Sequence, residues 1–260
     1  MIKKIRNKIT RFESRLDQIY QNLSVLDQKE KIQKQNQQIQ FDFHQISQLF
    51  SRGEFIPWTS WSISPSTILH VLNDLLVNEK KSVIEFGAGS STFYIAKFLK
   101  EHQLENVQFL TVESDERWIG KIEKWAGKYE LLDHINIVHS PITDVQNELS
   151  WKNQTKWYSS KDIENAFNRE EKFDLILIDG PWGGISPFGR YSAVPFLKNN
   201  LSEKFSIYLD DTFREEEFKI INKWSQLLDT PVKHYNKYSL LTNEDRYNIE
   251  PFSVNKWQKV

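Results

Sequence analysis

From Lys81 to Leu241, short apolar runs alternate with longer amphipathic stretches of helical period. The runs are nearly continuous in apolar residues, as expected of parallel strands that are covered on both faces. They lie at residues 82–86, 107–112, 135–138, 173–178 and 205–209, and segments 232–235 and 239–241 look like a closing hairpin. This order predicts an α/β fold, with a doubly wound, mostly parallel seven-stranded sheet of the Rossmann-like type.

Charge balance and the absence of cysteine exclude several classes of function. The 260 residues include 34 basic and 35 acidic side chains, so no net field favours nucleic acid. With no cysteine, the chain has no disulfides, thiolate metal sites or cysteine nucleophile. No apolar run approaches the roughly 20 residues of a membrane span, and residues 1–8 lack a signal peptide's apolar block. We expect a cytoplasmic protein.

Apolar residues near the N-terminus recur at alternating steps of three and four, which is typical of a coiled-coil seam. They are Ile2, Ile5, Ile9, Phe12, Leu16, Ile19, Leu23 and Leu26. Because neither glycine nor proline precedes Gly53, we expect one long helix. The seam predicts a coiled coil that joins copies of the chain into a homo-oligomer. The alternatives are a helix lying on the domain's own surface and a basic amphipathic helix that touches a membrane or a partner.

Segment 53–65 is rich in tryptophan, serine and proline and cannot continue that helix. Ser64 and Pro65 are placed as the N-cap and first residue of the next helix. We therefore divide the chain into an N-terminal helical segment (1–52), a linker and cap helix (53–80), and a main domain (81–260).

A glycine pair follows the first predicted strand, in the run Glu85-Phe86-Gly87-Ala88-Gly89. Glycines let the backbone turn sharply and approach a ligand, and the helix that starts near Ser91 directs its N–H groups to the same place. A dinucleotide site usually has a third glycine where this chain has Thr92. Glu85 would repel a diphosphate, but it suits a ligand that carries ammonium and sulfonium groups.

Glu113 ends the second predicted strand. At that point a carboxylate can accept hydrogen bonds from both ribose hydroxyls of a nucleoside lying across the strand ends. The alternative is a solvated carboxylate with no ligand.

The motif Glu85-x-Gly87-x-Gly89, followed by Glu113, resembles the signature of class I S-adenosylmethionine-dependent methyltransferases. The resemblance covers roughly residues 80–243. It implies that the glycine loop holds the methionine end of S-adenosylmethionine (SAM) and that Glu113 holds its ribose. The implied cofactor-binding residues are Glu85, Gly87, Ala88, Gly89, Ser91, Thr92, Glu113, Ser114, Ser140 and Asp179.

Acids also follow the fourth and fifth strands, namely Asp179 and the pair Asp210 and Asp211. Because the carboxyl ends of adjacent parallel strands meet at one edge, these acids would converge beside the sulfonium. Three clustered anions disfavour one another unless a cation lies among them, and all-oxygen ligands suit Mg²⁺. Alternatively, Asp179 only shapes the cofactor pocket, while Asp210 or Asp211 caps the next helix.

This acidic arrangement resembles the metal-dependent O-methyltransferases of the catechol and macrolide-sugar types, in which acids at these positions hold the metal. The catechol type has a lysine base three residues past the first acid, whereas this chain has Trp182 there. The general base is thus unidentified, or the metal ion alone is enough to activate the acceptor hydroxyl. Arg190 would hold a substrate carboxylate or phosphate, or form a surface salt bridge.

We therefore predict O-methylation of a hydroxyl on a glycan or another small molecule, with Asp179, Asp211 and Arg190 as catalytic residues. The insert 143–169 contains Trp151, Trp157 and Tyr158, which would wall the acceptor pocket, with the tryptophans stacking on sugar faces, or simply pack.

Two other functions remain open. One is a non-catalytic assembly protein that binds the cofactor and recruits a partner through its coiled coil. The other is an NAD-dependent oxidoreductase or epimerase, against which Thr92 and the absence of a Tyr-x-x-x-Lys pair argue.

Overall fold

A computed structural model describes the backbone of residues 2–51 and 53–253, and the side chains at residues 6, 11–51 and 53–253. Residue contacts divide the chain into two units, Met1–Asp42 with Phe252–Val260, and Phe43–Pro251. The predicted division at 52 and 80 differs from this one. The reason is that Ile46, Ile63 and Ile68 are buried in the same hydrophobic core as the sheet, which assigns the end of the first helix, the linker and the cap helix to the second unit.

Helix α1 spans Ile2–Ser47 without interruption, as the absence of glycine and proline predicts. The described apolar side chains of the seam are 38–63% exposed: Phe12, Leu16, Ile19, Leu23 and Leu26. The side chains of Ile2, Ile5 and Ile9 lie outside the described residues. The single helix is confirmed, and the coiled coil stays a prediction. Among the helices that the structure describes, none combines the length and apolar character needed to cross a bilayer.

The remaining elements alternate between strands and helices. The helices are α2 (Pro65–Val77), α3 (Ser90–Glu101), α4 (Glu116–Lys128), α5 (Ser160–Glu164), α6 (Ala193–Leu197) and α7 (Glu215–Leu228), with 3₁₀ turns at Leu132–His134 and Lys198–Asn200. The strands are β1 (Ser82–Phe86), β2 (Gln108–Glu113), β3 (Asn136–His139), β4 (Ile142–Asp144), β5 (Lys156–Tyr158), β6 (Phe173–Ile178), β7 (Leu201–Asp210), β8 (Val232–His234) and β9 (Tyr238–Thr242). Ser64 caps α2 as predicted, since its hydroxyl accepts a hydrogen bond from the Thr67 amide.

Seven strands form the main sheet in the order β3-β2-β1-β6-β7-β9-β8, and only β9 runs antiparallel to its neighbours. This confirms the predicted seven-stranded, mostly parallel sheet. Two features differ from the prediction: β4 and β5 form a separate two-stranded hairpin around the insert, and β7 starts at Leu201 rather than at residue 205. Of the four added residues of β7, only Leu201 is apolar, and Glu203 and Lys204 are exposed, so this part lacks the continuous apolar run that marks the rest of the strand.

Successive residues of each central strand enter opposite hydrophobic layers. Ile84 and Phe86 of β1 pack in the layer that contains Trp224 of α7, whereas Val83 packs with α2 and α3 residues, including Leu72 and Ile95. Because both faces of β1 are covered, its residues are all buried. This explains the continuous apolar runs in the sequence.

The strand order reverses between β1 and β6, where open α/β sheets form their ligand crevice. The loops after these two strands are joined, because the Asp179 amide donates to the Phe86 carbonyl at 2.9 Å. The topology therefore brings the glycine loop and the first predicted metal acid together at one edge of the sheet.

Candidate active site

The two glycines after β1 have different environments. Gly87 has φ +95°, and a Cβ built on it would lie 2.7 Å from the Gly180 nitrogen, in the loop after β6. At Gly89, no described atom lies within 4 Å of such a Cβ. Gly87 is therefore required for the close packing of two loops, whereas the backbone at Gly89 borders open space that a ligand can enter.

Glu85 is fully buried beneath the glycine loop. Its carboxylate accepts hydrogen bonds from Ser91 Oγ, from Thr92 Oγ1 at 2.5 Å and from Thr111 Oγ1 at 2.7 Å. Burial raises the pKa of Glu85 to about 7, against the lowering effect of these hydroxyls. The hydroxyls of Ser91 and Thr92 belong to the first turn of α3, and that of Thr111 belongs to β2, so Glu85 ties the start of α3 to the sheet. Its predicted contact with the cofactor stays a prediction.

Thr92 also accepts a hydrogen bond from the Gly89 amide at 2.9 Å. This side chain thus links the loop backbone to Glu85, which is a physical reason for threonine where a dinucleotide site has glycine.

Glu113 contacts the glycine loop directly. Its Oε2 accepts from the Ala88 amide at 3.2 Å, and its Oε1 accepts from the amides of Ser114 at 2.6 Å and Asp115 at 2.9 Å. The side chain is only partly buried. A hydrogen bond therefore joins the glycine loop to Glu113, the two motifs that were predicted to bind the same cofactor.

Two further contacts shape the region around Glu113. The buried Ser140 donates its amide to the Glu113 carbonyl at 2.8 Å and its hydroxyl to the Ser159 carbonyl at 3.1 Å. Trp118, which was not predicted from the sequence, donates its indole N–H to the Ala88 carbonyl at 2.8 Å. Its position in the first turn of α4, shortly after Glu113, is the feature of the sequence that could have indicated it.

The three predicted metal acids converge. Asp179, Asp210 and Asp211 each offer a carboxylate oxygen within 4.8 Å of the others. Burial, followed by the charges of the other two acids, holds the pKa of Asp210 well above its usual range. Burial is also the main reason that the pKa of Asp179 is raised, although Arg190 opposes the shift.

Arg190 lies among these acids and is only 4% exposed. Its Nη2 is 3.1 Å from Asp179 and 3.4 Å from Asp211, and its Nη1 donates to the Asp210 carbonyl at 3.2 Å. The alternative of a surface salt bridge is therefore wrong. The guanidinium is engaged with the protein's own acids and compensates part of their charge.

Arg214 is a second cation at this cluster, and it was not predicted from the sequence. Its Nη1 lies 2.9 Å from Asp211 Oδ2, and its side chain is 48% exposed. The spacing of three residues from Asp211, at the start of a helix, is the signal that would have found it.

The aromatic residues of the insert are packed rather than open. Trp157 is 1% exposed and Tyr158 is 2% exposed, and Trp151 lies against the rings of Phe188 and Tyr191. The prediction that Trp157 stacks on a sugar is therefore wrong, because its indole is part of the hydrophobic core.

No protein-family model and no curated protein sequence matches the chain. Solved structures with a similar fold include an O-methyltransferase from Bacillus cereus in complex with SAH (TM-score 0.52, 14% identity, 79% of this chain and 90% of that one). Another is the precorrin-6y C5,15-methyltransferase from Geobacter metallireducens (TM-score 0.52, 11% identity, 75% and 96% coverage). A third is a putative O-methyltransferase from Klebsiella pneumoniae (TM-score 0.50, 12% identity, 78% and 87% coverage).

These structures define the class of fold. The chain has the Rossmann-like fold of class I SAM-dependent methyltransferases, as the resemblance in its sequence implied. The names of these structures differ in the group that is methylated, and a shared fold does not identify the acceptor.

Proposed function

We propose that this protein is a SAM-dependent methyltransferase that methylates a hydroxyl group of a glycan or another small molecule. The observation that carries the proposal is the hydrogen bond from the Ala88 amide to Glu113, at the edge of the sheet where Asp179 also lies. It joins the loop suited to the methionine end of SAM to the acid suited to the ribose. The acids needed to activate an acceptor lie on the neighbouring strand ends.

Each of these residues has a separate role in the proposed reaction. SAM supplies a methyl carbon on a positively charged sulfur. Glu113 would accept the ribose hydroxyls, and the open backbone at Gly89 would border the methionine end. Without a bound metal ion, Asp179 would accept the proton of the acceptor hydroxyl. The C–O bond then forms as the C–S bond breaks.

We also propose that Asp179, Asp210 and Asp211 hold a divalent cation. Their all-oxygen donor set and mutual distances within 4.8 Å suit Mg²⁺, which would bind the acceptor hydroxyl and lower its pKa. Burial and the neighbouring acids raise the pKa of Asp210, which means that the cluster favours binding of a cation in addition to Arg190 and Arg214. Arg190 and the metal ion would together balance the negative charge of the three carboxylates.

Calorimetric titration with SAM tests the proposal, and we expect one site with an affinity in the micromolar range. A parallel titration with Mn²⁺, a probe for the Mg²⁺ site, should show binding that Asp211→Asn weakens at least about tenfold. Asparagine suits this test because Asp211 has φ +60°, a conformation that asparagine tolerates. The affinity for SAM should change less than about twofold.

The matched control is Asp229→Asn, since Asp229 is an exposed aspartate that also has positive φ, +47°. It should leave both affinities unchanged. Absence of heat on addition of SAM would remove the methyltransferase proposal. Wild-type protein that binds SAM but not Mn²⁺ would refute only the metal site, and Arg190 would then be the cation that balances the acids.

We further propose that α1 forms a coiled coil with α1 of a second copy. The exposure of its apolar seam supports this.

Light scattering after size-exclusion chromatography tests the coiled coil. Replacing both Leu16 and Leu23 by aspartate should convert the oligomer to a monomer, because buried unpaired charges oppose association. The same change at Ser14 and Gln21, on the opposite face of α1, should have no effect. An unchanged mass for the leucine variant would show that α1 does not join copies.

A further inference from the structure

Two tryptophans lie together, exposed, beside the candidate active site. Trp61 is 71% exposed and Trp182 is 59% exposed. Their ring centroids are 5.9 Å apart, and their planes are inclined by 47°. Trp182 follows Asp179 by three residues in the loop after β6. We call Trp61 and Trp182 the tryptophan pair.

The exposure of this pair contrasts with the burial of the aromatic residues in the nearby strand β5. The neighbouring Trp157 and Tyr158 are almost fully buried, as expected of large rings that contribute most when water is removed from them. Aromatic surface that stays in water does not contribute this free energy of burial. Clustered exposed apolar surface of this kind often marks a binding site. A ligand that covers the pair would remove both rings from water, and this would favour its binding.

Trp182 is held in place by the backbone beneath it. A Cβ built on Gly184 would lie 2.6 Å from two atoms of the Trp182 six-membered ring. The indole therefore rests against Gly184 with no room for a side chain between them. A ring that is already positioned loses little freedom when a ligand stacks on it.

The loop that carries Trp182 also touches the acidic cluster. A Cβ built on Gly183 would lie 3.8 Å from Arg214 Nη1, and Arg214 pairs with Asp211 at 2.9 Å. The loop that carries Trp182 therefore borders the acidic cluster through Arg214.

Resting on the proposed methyltransferase function, we propose that the tryptophan pair binds the acceptor and that the acceptor is a sugar ring of a glycan. A sugar ring has C–H bonds on its face, which pack on an indole, and hydroxyls at its edge, which the acids can bind. A flat phenol on the same open surface would leave its second apolar face in water. Because the pair is open to solvent, it also leaves room for the rest of a chain.

Saturation-transfer NMR and calorimetry on the full chain with bound SAH test this. The probes are cellohexaose, maltohexaose, xylohexaose and hexagalacturonate, with catechol as the phenol. We expect at least one oligosaccharide to bind. Trp61→Ala and Trp182→Ala should each weaken that binding about tenfold, the order of effect that loss of one stacking ring has on a bound nucleotide base.

Two further variants separate stacking from general damage. Gly184→Ala should weaken oligosaccharide binding as well, because the added methyl displaces the Trp182 ring while every aromatic residue is retained. Tyr247→Ala removes a ring that is 55% exposed and should have no effect. Tyr247 lies close to Asp245, which pairs with Lys204 in the half of β7 away from the acids.

The affinity for SAH should stay within about twofold of wild type in all four variants. Wild-type protein that does not bind SAH would defeat the proposed function itself. SAH binding without oligosaccharide binding, or oligosaccharide binding that the Trp61 and Trp182 variants retain, would overturn the tryptophan pair as the acceptor site. If Trp182→Ala weakened the binding of catechol and no oligosaccharide bound, the acceptor would be a phenol and not a sugar.

Discussion

Glu113→Ala should weaken the binding of SAH by at least about a hundredfold. A hydrogen bond to a charged group contributes about 1.5–3 kcal/mol, so the loss of two ribose contacts costs about 3 kcal/mol or more. The variant also removes the acceptor of the Ala88 and Asp115 amides, so the glycine loop loses its attachment to β2. Calorimetric titration of SAH at 25 °C measures the effect.

Glu113→Gln is the matched variant for this result. Glutamine keeps the size of the side chain and one acceptor oxygen, so we expect an intermediate loss of about tenfold. Glu105→Ala, an exposed acid just before β2, should bind SAH as wild type does. If Glu113→Ala bound SAH with wild-type affinity and remained folded, the ribose assignment would be wrong.

Arg190→Met should lower the free energy of unfolding by about 3–5 kcal/mol at pH 8, the usual cost of removing one partner from a buried ion pair. The guanidinium is 4% exposed and lies between Asp179 and Asp211. Methionine would fill much of the space but leave these carboxylates without their buried cation. Guanidinium chloride unfolding, followed by circular dichroism, measures the loss.

The effect should depend on pH in a defined direction. Burial already raises the pKa of Asp179 and Asp210, and loss of Arg190 would raise both pKa values further. Above the usual carboxyl pKa, near 4, and up to the raised value, the folded cluster retains protons that the unfolded chain has released. Stability therefore falls as pH rises through this window, and the deficit of Arg190→Met should be smaller at pH 5 than at pH 8.

Two comparisons separate charge from packing in this experiment. Asp179→Asn in the Arg190→Met background should restore part of the lost stability at pH 8, because it removes one of the clustered charges. Arg214→Met should cost less than about 1 kcal/mol, since Arg214 is 48% exposed and its ion pair is screened by water. An Arg190→Met deficit that is equal at pH 5 and pH 8, and that Asp179→Asn does not reduce, would show that packing rather than charge explains it.

The order and type of the main strands were predictable from sequence. Both faces of strands such as β1 are covered, so each leaves a continuous apolar run that can be recognised without coordinates. The hairpin of β4 and β5 was not predicted, because strands of three residues with several polar positions do not form a continuous apolar run. The first part of β7 escaped for the same reason, since Glu203 and Lys204 are exposed.

Positions along the chain were enough to bring Glu113 and the acids Asp179, Asp210 and Asp211 to one edge of the sheet, because parallel strands end on the same side. They were not enough to say which partner each side chain would take. Only the packed structure shows that Glu85 is enclosed by three hydroxyls, that Arg190 enters the acidic cluster from eleven residues beyond Asp179, and that Trp182 rather than Trp157 remains in water. Burial and side-chain pairing depend on contacts between distant segments, and the local pattern of residues does not contain them.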